Sequence, residues 1–105
     1  MRSDVVRDWF AGDPTMWDAC FERPEVAWAA ILELVDHDLT EDQTALLAAG
    51  PLETLLATHG ANFIERVEQQ ARDNPRFSHL LGGVWRSEMP LEIWERVESS
   101  RQEVW

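Results

Sequence analysis

Residues 46–85 constrain the fold more than any other segment, because short apolar runs at helical spacing alternate there with residues that interrupt helices. Gly50 and Gly60 each follow such a run, as glycines at helix ends do. The Asn74–Pro75 pair is typical of a helix start, and the Gly82–Gly83 pair is typical of a break. No segment alternates polar and apolar residues with the period of a strand. The pattern therefore predicts helices joined by tight turns.

A predicted helix at residues 25–36 is apolar around most of its circumference, with its polar positions in one narrow arc. Such a helix is surrounded by several neighbours, so we expect it to be the central strut, with Trp28 in the core. A chain of 105 residues is long enough for one hydrophobic core. The prediction is a single all-α domain over residues 1–105, a compact bundle of six or seven short helices at mixed crossing angles.

The net charge is −11, from 20 acidic residues against 9 arginines. The negative electrostatic field of this charge repels nucleic-acid phosphates and anionic lipids, so we expect neither nucleic-acid binding nor membrane binding. No run of about 20 apolar residues is present to span a bilayer. Two explanations of the acidity stay open: attraction of a basic protein partner, and solubility alone.

The densest acidic cluster consists of Asp36, Asp38, Glu41 and Asp42. Its spacing resembles the start of a calcium loop, but Glu41 occupies the glycine position and Leu47 the position of the bidentate glutamate. A calcium site is therefore rejected. Thr40 and Gln43 have the spacing of a capping box, which places Glu41 and Asp42 in the first turn of a helix. We expect the cluster to be exposed and to bind a basic partner.

Six tryptophans in one short chain are unusual, and they divide into two groups. Trp9, Trp17 and Trp85 are predicted to be core residues, like Trp28. Trp94 and Trp105 recur on nearly the same side of a last helix, about 16 Å apart at a rise of ~1.5 Å per residue. We expect this pair to contact a partner or a second copy of the chain, because exposed tryptophans are frequent interface anchors.

The sequence contains no motif for nucleophilic catalysis or phosphate binding and no paired metal-ligand spacing. His59 is predicted to pack on an apolar stripe in the last turn of its helix, and Cys20 to be a buried core thiol typical of a cytoplasmic protein. We therefore predict no metal site, no cofactor and no enzymatic activity. The alternative is a small enzyme or metal-dependent hydrolase that uses His59 with nearby carboxylates.

The central segment resembles a family of small bacterial proteins known only as a domain of unknown function. The residues that carry the resemblance are Gly50-Pro-Leu-Glu53, Leu55–Leu56, His59–Gly60, Phe63–Ile64, Val67–Glu68, Asn74–Pro75, Phe77 and Leu81-Gly-Gly-Val-Trp85. The resemblance implies a compact helical bacterial domain and no particular activity. Glu53, His59, Glu68 and Trp85 match motif positions to which the family assigns no role.

Taken together, the sequence favours a non-enzymatic, acidic, cytoplasmic protein-binding module. Its most concrete form is an immunity-protein-like or antitoxin-like inhibitor, or a phage or host decoy, that docks a basic partner.

Overall fold

The computed structural model describes residues 4–12, 15–86 and 88–101, and every regular element within them is helical. The elements are α1 (Asp4–Phe10), α2 (Thr15–Glu22), α3 (Pro24–Val35), α4 (Glu41–Leu47), a π-helical segment (Ala48–Leu52), α5 (Glu53–Asp73), α6 (Pro75–Leu81) and α7 (Leu91–Ser100). They pack into a body of 32 × 27 × 23 Å. This confirms the predicted all-α bundle. None of the described helices combines the length and the apolar character that a membrane span requires.

Helix α3 occupies the predicted central position, packing against α1, α2, α5, α6 and the π segment. Trp28 is only 7% exposed. Its ring lies 5.8 Å from the Phe63 ring on α5 and 5.7 Å from the Phe77 ring on α6, measured between centroids. The helix is not covered all round, since Val26 and Ala29 are exposed. The apolar arc of α3 is therefore wider than the face that its neighbours bury.

Two helix starts have the caps that the sequence predicts. The Thr40 side chain accepts a hydrogen bond from the Gln43 backbone N–H at 3.1 Å, and the Gln43 side chain accepts one from the Thr40 N–H at 2.9 Å. This reciprocal pair satisfies two backbone donors at the start of α4. The Asn74 side chain accepts from the Arg76 N–H at 3.0 Å and so caps α6.

The predicted helix end at Gly50 was wrong, because α4, the π segment and α5 run on without a break. Pro51 has no N–H to donate, and the wide turn of the π segment accommodates it. A Cβ at Gly50 would lie 3.2 Å from the Trp17 ring, so glycine lets α2 approach closely. The Cys20 thiol on α2 donates to the Pro51 carbonyl at 3.4 Å across the same contact.

The predicted helix end at Gly60 was also wrong. Helix α5 continues through it and is only kinked at His59, whose φ of −128° and ψ of 22° are not helical. A Cβ at Gly60 would lie 2.9 Å from Cγ2 of Ile93 on α7. This glycine therefore permits the close packing of α5 on α7, and it does not end a helix.

The tryptophans are less buried than their helical spacing predicts. Trp9 is half-buried, while Trp17 is 45% exposed and Trp85 is 54% exposed. The turn at Gly82–Gly83 returns Val84 to the core, but the Trp85 ring lies on the surface. Trp9 packs against the core as predicted, although it is only partly buried. The prediction was wrong for Trp17 and Trp85, because helical spacing identifies a shared face without showing whether a neighbour covers it.

Candidate functional site

An open cleft of about 350 Å³ lies where α1, α2, α4 and the π segment meet. We call it the aromatic cleft; its lining residues are Trp9, Phe10, Gly12, Trp17, Gln43, Leu46 and Pro51. Phe10, Trp17 and Leu46 are all exposed, and Leu46 retains 64% of its accessible surface. Soluble proteins seldom leave several large apolar side chains uncovered around one concavity, so this surface is the candidate interaction site.

The shape of the aromatic cleft depends on close contacts made by the side chains that line it. The Trp9 and Phe10 rings meet edge to face, with centroids 5.3 Å apart and an interplanar angle of 68°. On the other side, Trp17 rests against Gly50, which has no side chain to displace it. The π segment contributes Pro51 to the wall. Segments of π-helix inside α-helices are rare and occur frequently at functional sites.

The four residues of the acidic cluster are all exposed, as predicted. Asp36 follows α3 as its C-cap, Asp38 lies in the loop, and Glu41 and Asp42 begin α4. Asp42 and Leu46 are four residues apart on α4, which makes them neighbours on one helix face. The cluster is therefore contiguous with the aromatic cleft along α4.

A ring contact on the other side of the loop also joins the cluster to the aromatic cleft. The Phe10 ring, which lines the cleft, lies 5.5 Å from the His37 ring between Asp36 and Asp38. Sequence analysis identified the charged half of this surface and missed the apolar half. The available signal was the density of aromatic residues in positions 9–21, which we assigned to the core.

The second predicted aromatic surface, formed by Trp94 and Trp105, is described only in part. Trp94 is half-buried on α7, and the Arg101 guanidinium lies 5.0 Å from its ring centroid. Trp105 lies outside the described residues. The role of this pair in partner binding or self-association stays a prediction.

His59 lies in the middle of α5, not in the last turn of a helix as predicted. It is half-buried at the kink, where its Nε2–H donates to the Phe21 carbonyl at 3.0 Å and joins α5 to α2. Within residues 4–12, 15–86 and 88–101, no three His, Cys, Asp or Glu side chains are grouped so that they could hold a metal ion. The expectation of a non-enzymatic protein stays a prediction.

The motif residues Glu53 and Trp85 are in contact with each other. The Glu53 carboxylate accepts a hydrogen bond from the Trp85 backbone N–H at 2.9 Å. This bond ties the loop after α6 to the first turn of α5. It uses the backbone of Trp85, so the exposed indole ring stays available for other contacts.

The fourth motif residue, Glu68, forms a bidentate ion pair with Arg96 that links α5 to α7. The Arg96 Nε–H donates to one carboxylate oxygen at 2.9 Å, and its Nη2–H donates to the other. The hydrogen bonds from Arg96 lower the pKa of the Glu68 carboxyl below its ordinary value. All four motif residues thus take part in contacts between separate elements, Trp85 through its backbone N–H and the other three through their side chains.

The lowered pKa of Glu68 predicts a pH-dependent contribution to stability. A carboxyl whose folded pKa is depressed stabilises the fold above its unfolded pKa of about 4.3, and that contribution is lost as pH falls through the folded pKa. We expect Glu68→Gln to lower the unfolding midpoint in urea at pH 7 and to lower it less at an acidic pH below about 4.3. Glu95→Gln, at an exposed carboxylate on α7, is the matched control. Equal losses at both pH values would contradict the assignment.

Comparison with known protein families identifies the family of this chain. The sequence model of one family matches residues 4–104, nearly the whole length. The chain belongs to a family of unknown function (DUF6869). Membership in DUF6869 agrees with the resemblance to a domain of unknown function. No curated protein and no solved structure matches the chain.

Proposed function

We propose that this member of DUF6869 is a non-enzymatic protein-binding module that docks a basic protein. The observation that carries the proposal is the aromatic cleft, where Trp17 of α2 and Leu46 of α4 are exposed and Asp42 of the acidic cluster lies on the same face of α4 as Leu46. An apolar centre flanked by charge is the usual arrangement of a protein interface.

The apolar half of this surface would supply most of the binding energy. Tryptophans dominate the side chains whose truncation weakens protein interfaces, and they act best when partner groups exclude water around them. A concavity of about 350 Å³ is large enough to receive a bulky apolar side chain of the partner. Trp17 forms one wall and Leu46 another.

The charged half would supply steering and selectivity. Asp36, Asp38, Glu41 and Asp42 are exposed together in a chain of net charge −11, a field that attracts basic proteins and accelerates their association. The same field repels nucleic acid and anionic membranes. A bacterial immunity protein or antitoxin, or a phage or host decoy, acting in the cytoplasm on a basic enzyme is the concrete form that we propose.

The proposal is tested by isolating the partner from the native host and measuring its binding kinetics at low and high salt. Neutralising the cluster in Asp36→Asn/Asp38→Asn/Glu41→Gln/Asp42→Asn should slow association several-fold at low salt. The difference should shrink at high salt, because screening acts within ~10 Å at 0.1 M. Trp17→Ala should mainly speed dissociation, by about 30-fold for a hot-spot loss of ~2 kcal/mol.

A charge-matched control neutralises four exposed acids on segments that do not line the aromatic cleft: Glu65→Gln/Glu88→Gln/Glu92→Gln/Glu95→Gln. It should leave the association rate close to that of the natural chain. An equal slowing in the control would mean that net charge alone governs binding. A partner whose binding ignores both Trp17 and the acidic cluster would overturn the proposal.

A further inference from the structure

A second cleft, of about 380 Å³, shares α4 with the aromatic cleft but is lined by different residues of that helix. Gln43 and Leu46 of α4 line the aromatic cleft, whereas Thr44 and Leu47 line this one. Its other walls come from the end of α3 with the loop that follows, and from α6. We call it the α3–α6 cleft. The proposed protein-binding surface shares only Asp38 with it.

The apolar lining of the α3–α6 cleft comes from Leu39 and Pro75, which keep accessible surface, and from Val35, Leu47 and Leu80, which are almost fully buried. Small-molecule sites in proteins combine such an apolar lining with a few polar groups, and their volumes begin near 300 Å³. The cleft has both properties. Its size suits a small organic molecule and not a folded domain.

The polar part is unlike the rest of the molecule, because groups able to carry positive charge outnumber acids there. Arg76, His37 and His79 line the cleft with a single acid, Asp38. The whole chain has 9 arginines and 3 histidines against 20 acids, so two of its histidines meet at this one concavity.

Hydrogen bonds to backbone carbonyls hold two of these groups in place. The His37 Nδ1–H donates to the Glu33 carbonyl at 2.9 Å, which leaves Nε2 as the second polar atom of the ring. The Arg76 Nη1–H donates to the Asp36 carbonyl at 3.3 Å. This bond uses one edge of a planar fork whose geometry matches a carboxylate.

We propose that the α3–α6 cleft binds a small amphipathic carboxylate. The hydrocarbon part would pack against Leu39 and Pro75, while the carboxylate would accept hydrogen bonds from the Arg76 guanidinium. The protein as a whole repels anions, so retention of one depends on the Arg76 guanidinium, with the imidazole rings of His37 and His79 as further polar contacts. The negative charge of Asp38 repels the carboxylate of the ligand and lowers the affinity of the cleft for it.

The test is a calorimetric or NMR titration with octanoate, its neutral analogue 1-octanol and its cationic analogue octylamine. We expect octanoate to bind at least about 10-fold more tightly than 1-octanol, a difference of ~1.4 kcal/mol. Arg76→Gln should remove that advantage and leave 1-octanol unaffected. Asp38→Asn should strengthen octanoate binding, because it removes a like charge.

Arg72→Gln is the matched control, since Arg72 is an exposed arginine on α5 that does not line the cleft. It should bind octanoate as the natural chain does. Arg76 is itself exposed, so its substitution leaves the fold intact, which circular dichroism checks. Failure of octanoate to bind at millimolar concentration, equal binding by Arg76→Gln, or a preference for octylamine that Asp38→Asn weakens would each overturn the proposal.

Discussion

Truncation of Trp28 to alanine is expected to lower the free energy of unfolding by about 3–5 kcal/mol, the usual cost of removing a large buried aromatic side chain. The Trp28 ring packs between Phe63 of α5 and Phe77 of α6, so its loss leaves a cavity where three helices meet. Small domains have only ~5–15 kcal/mol of stability in total. The variant should therefore be partly unfolded at moderate temperature.

Urea denaturation followed by circular dichroism measures this loss, and Trp85→Ala is the matched control. Trp85 is 54% exposed and uses only its backbone N–H to bond Glu53, so its truncation should cost less than about 1 kcal/mol. A loss below ~1 kcal/mol for Trp28→Ala would show that α3 is not the centre of the core.

Substitution of Gly60 by valine is expected to cost about 3 kcal/mol, at the upper end of the usual range for overpacking. A Cβ at this position would already lie 2.9 Å from Cγ2 and 3.3 Å from Cγ1 of Ile93, and valine adds two further methyl groups. Ile93 is buried and branched at Cβ, so its side chain has little freedom to move aside. We expect α7 to be pushed away from α5.

A double-mutant cycle separates this clash from helix propensity. Ile93→Ala removes the atoms nearest to the added Cβ, so Gly60→Val should cost at least about 0.5 kcal/mol less in that background. Ala61→Val, at the exposed neighbouring position, reports the cost of a β-branched residue in this part of α5 without the Ile93 contact. Additive effects of Gly60→Val and Ile93→Ala would contradict the proposed contact.

The sequence predicted those features that are encoded locally. The capping box at Thr40 and the Asn74 cap depend on residues within one helical turn, and both form as expected. The burial of Trp28 follows from the wide apolar arc of its helix. These interactions need no knowledge of distant residues.

The glycine positions were misinterpreted because their function is tertiary. Gly50 and Gly60 follow apolar runs in the way that helix-ending glycines do, yet each faces a large side chain from another helix, Trp17 and Ile93 respectively. Nothing within one turn of either glycine indicates that contact. The π segment is equally hidden, since it depends on how Pro51 is packed.

The candidate site was predictable only in its charged half. Exposed acids are recognisable from sequence because their burial is costly, so Asp36, Asp38, Glu41 and Asp42 were placed on the surface. Whether Trp17 is covered depends on which neighbouring helices reach it. Spacing alone does not contain that information, and the aromatic cleft was therefore missed.

The contact between α2 and the π segment also shields the single thiol of the chain from solvent. Cys20 has no exposed surface, its Sγ–H is bonded to the Pro51 carbonyl, and burial raises its pKa to about 12. Thiol reagents react with the thiolate and arrive from solvent. They therefore reach the Cys20 sulfur only when α2 has moved away from the π segment. The alkylation rate of the native protein therefore measures how often α2 separates from the π segment, next to the aromatic cleft. The measurement uses a residue that the chain already has.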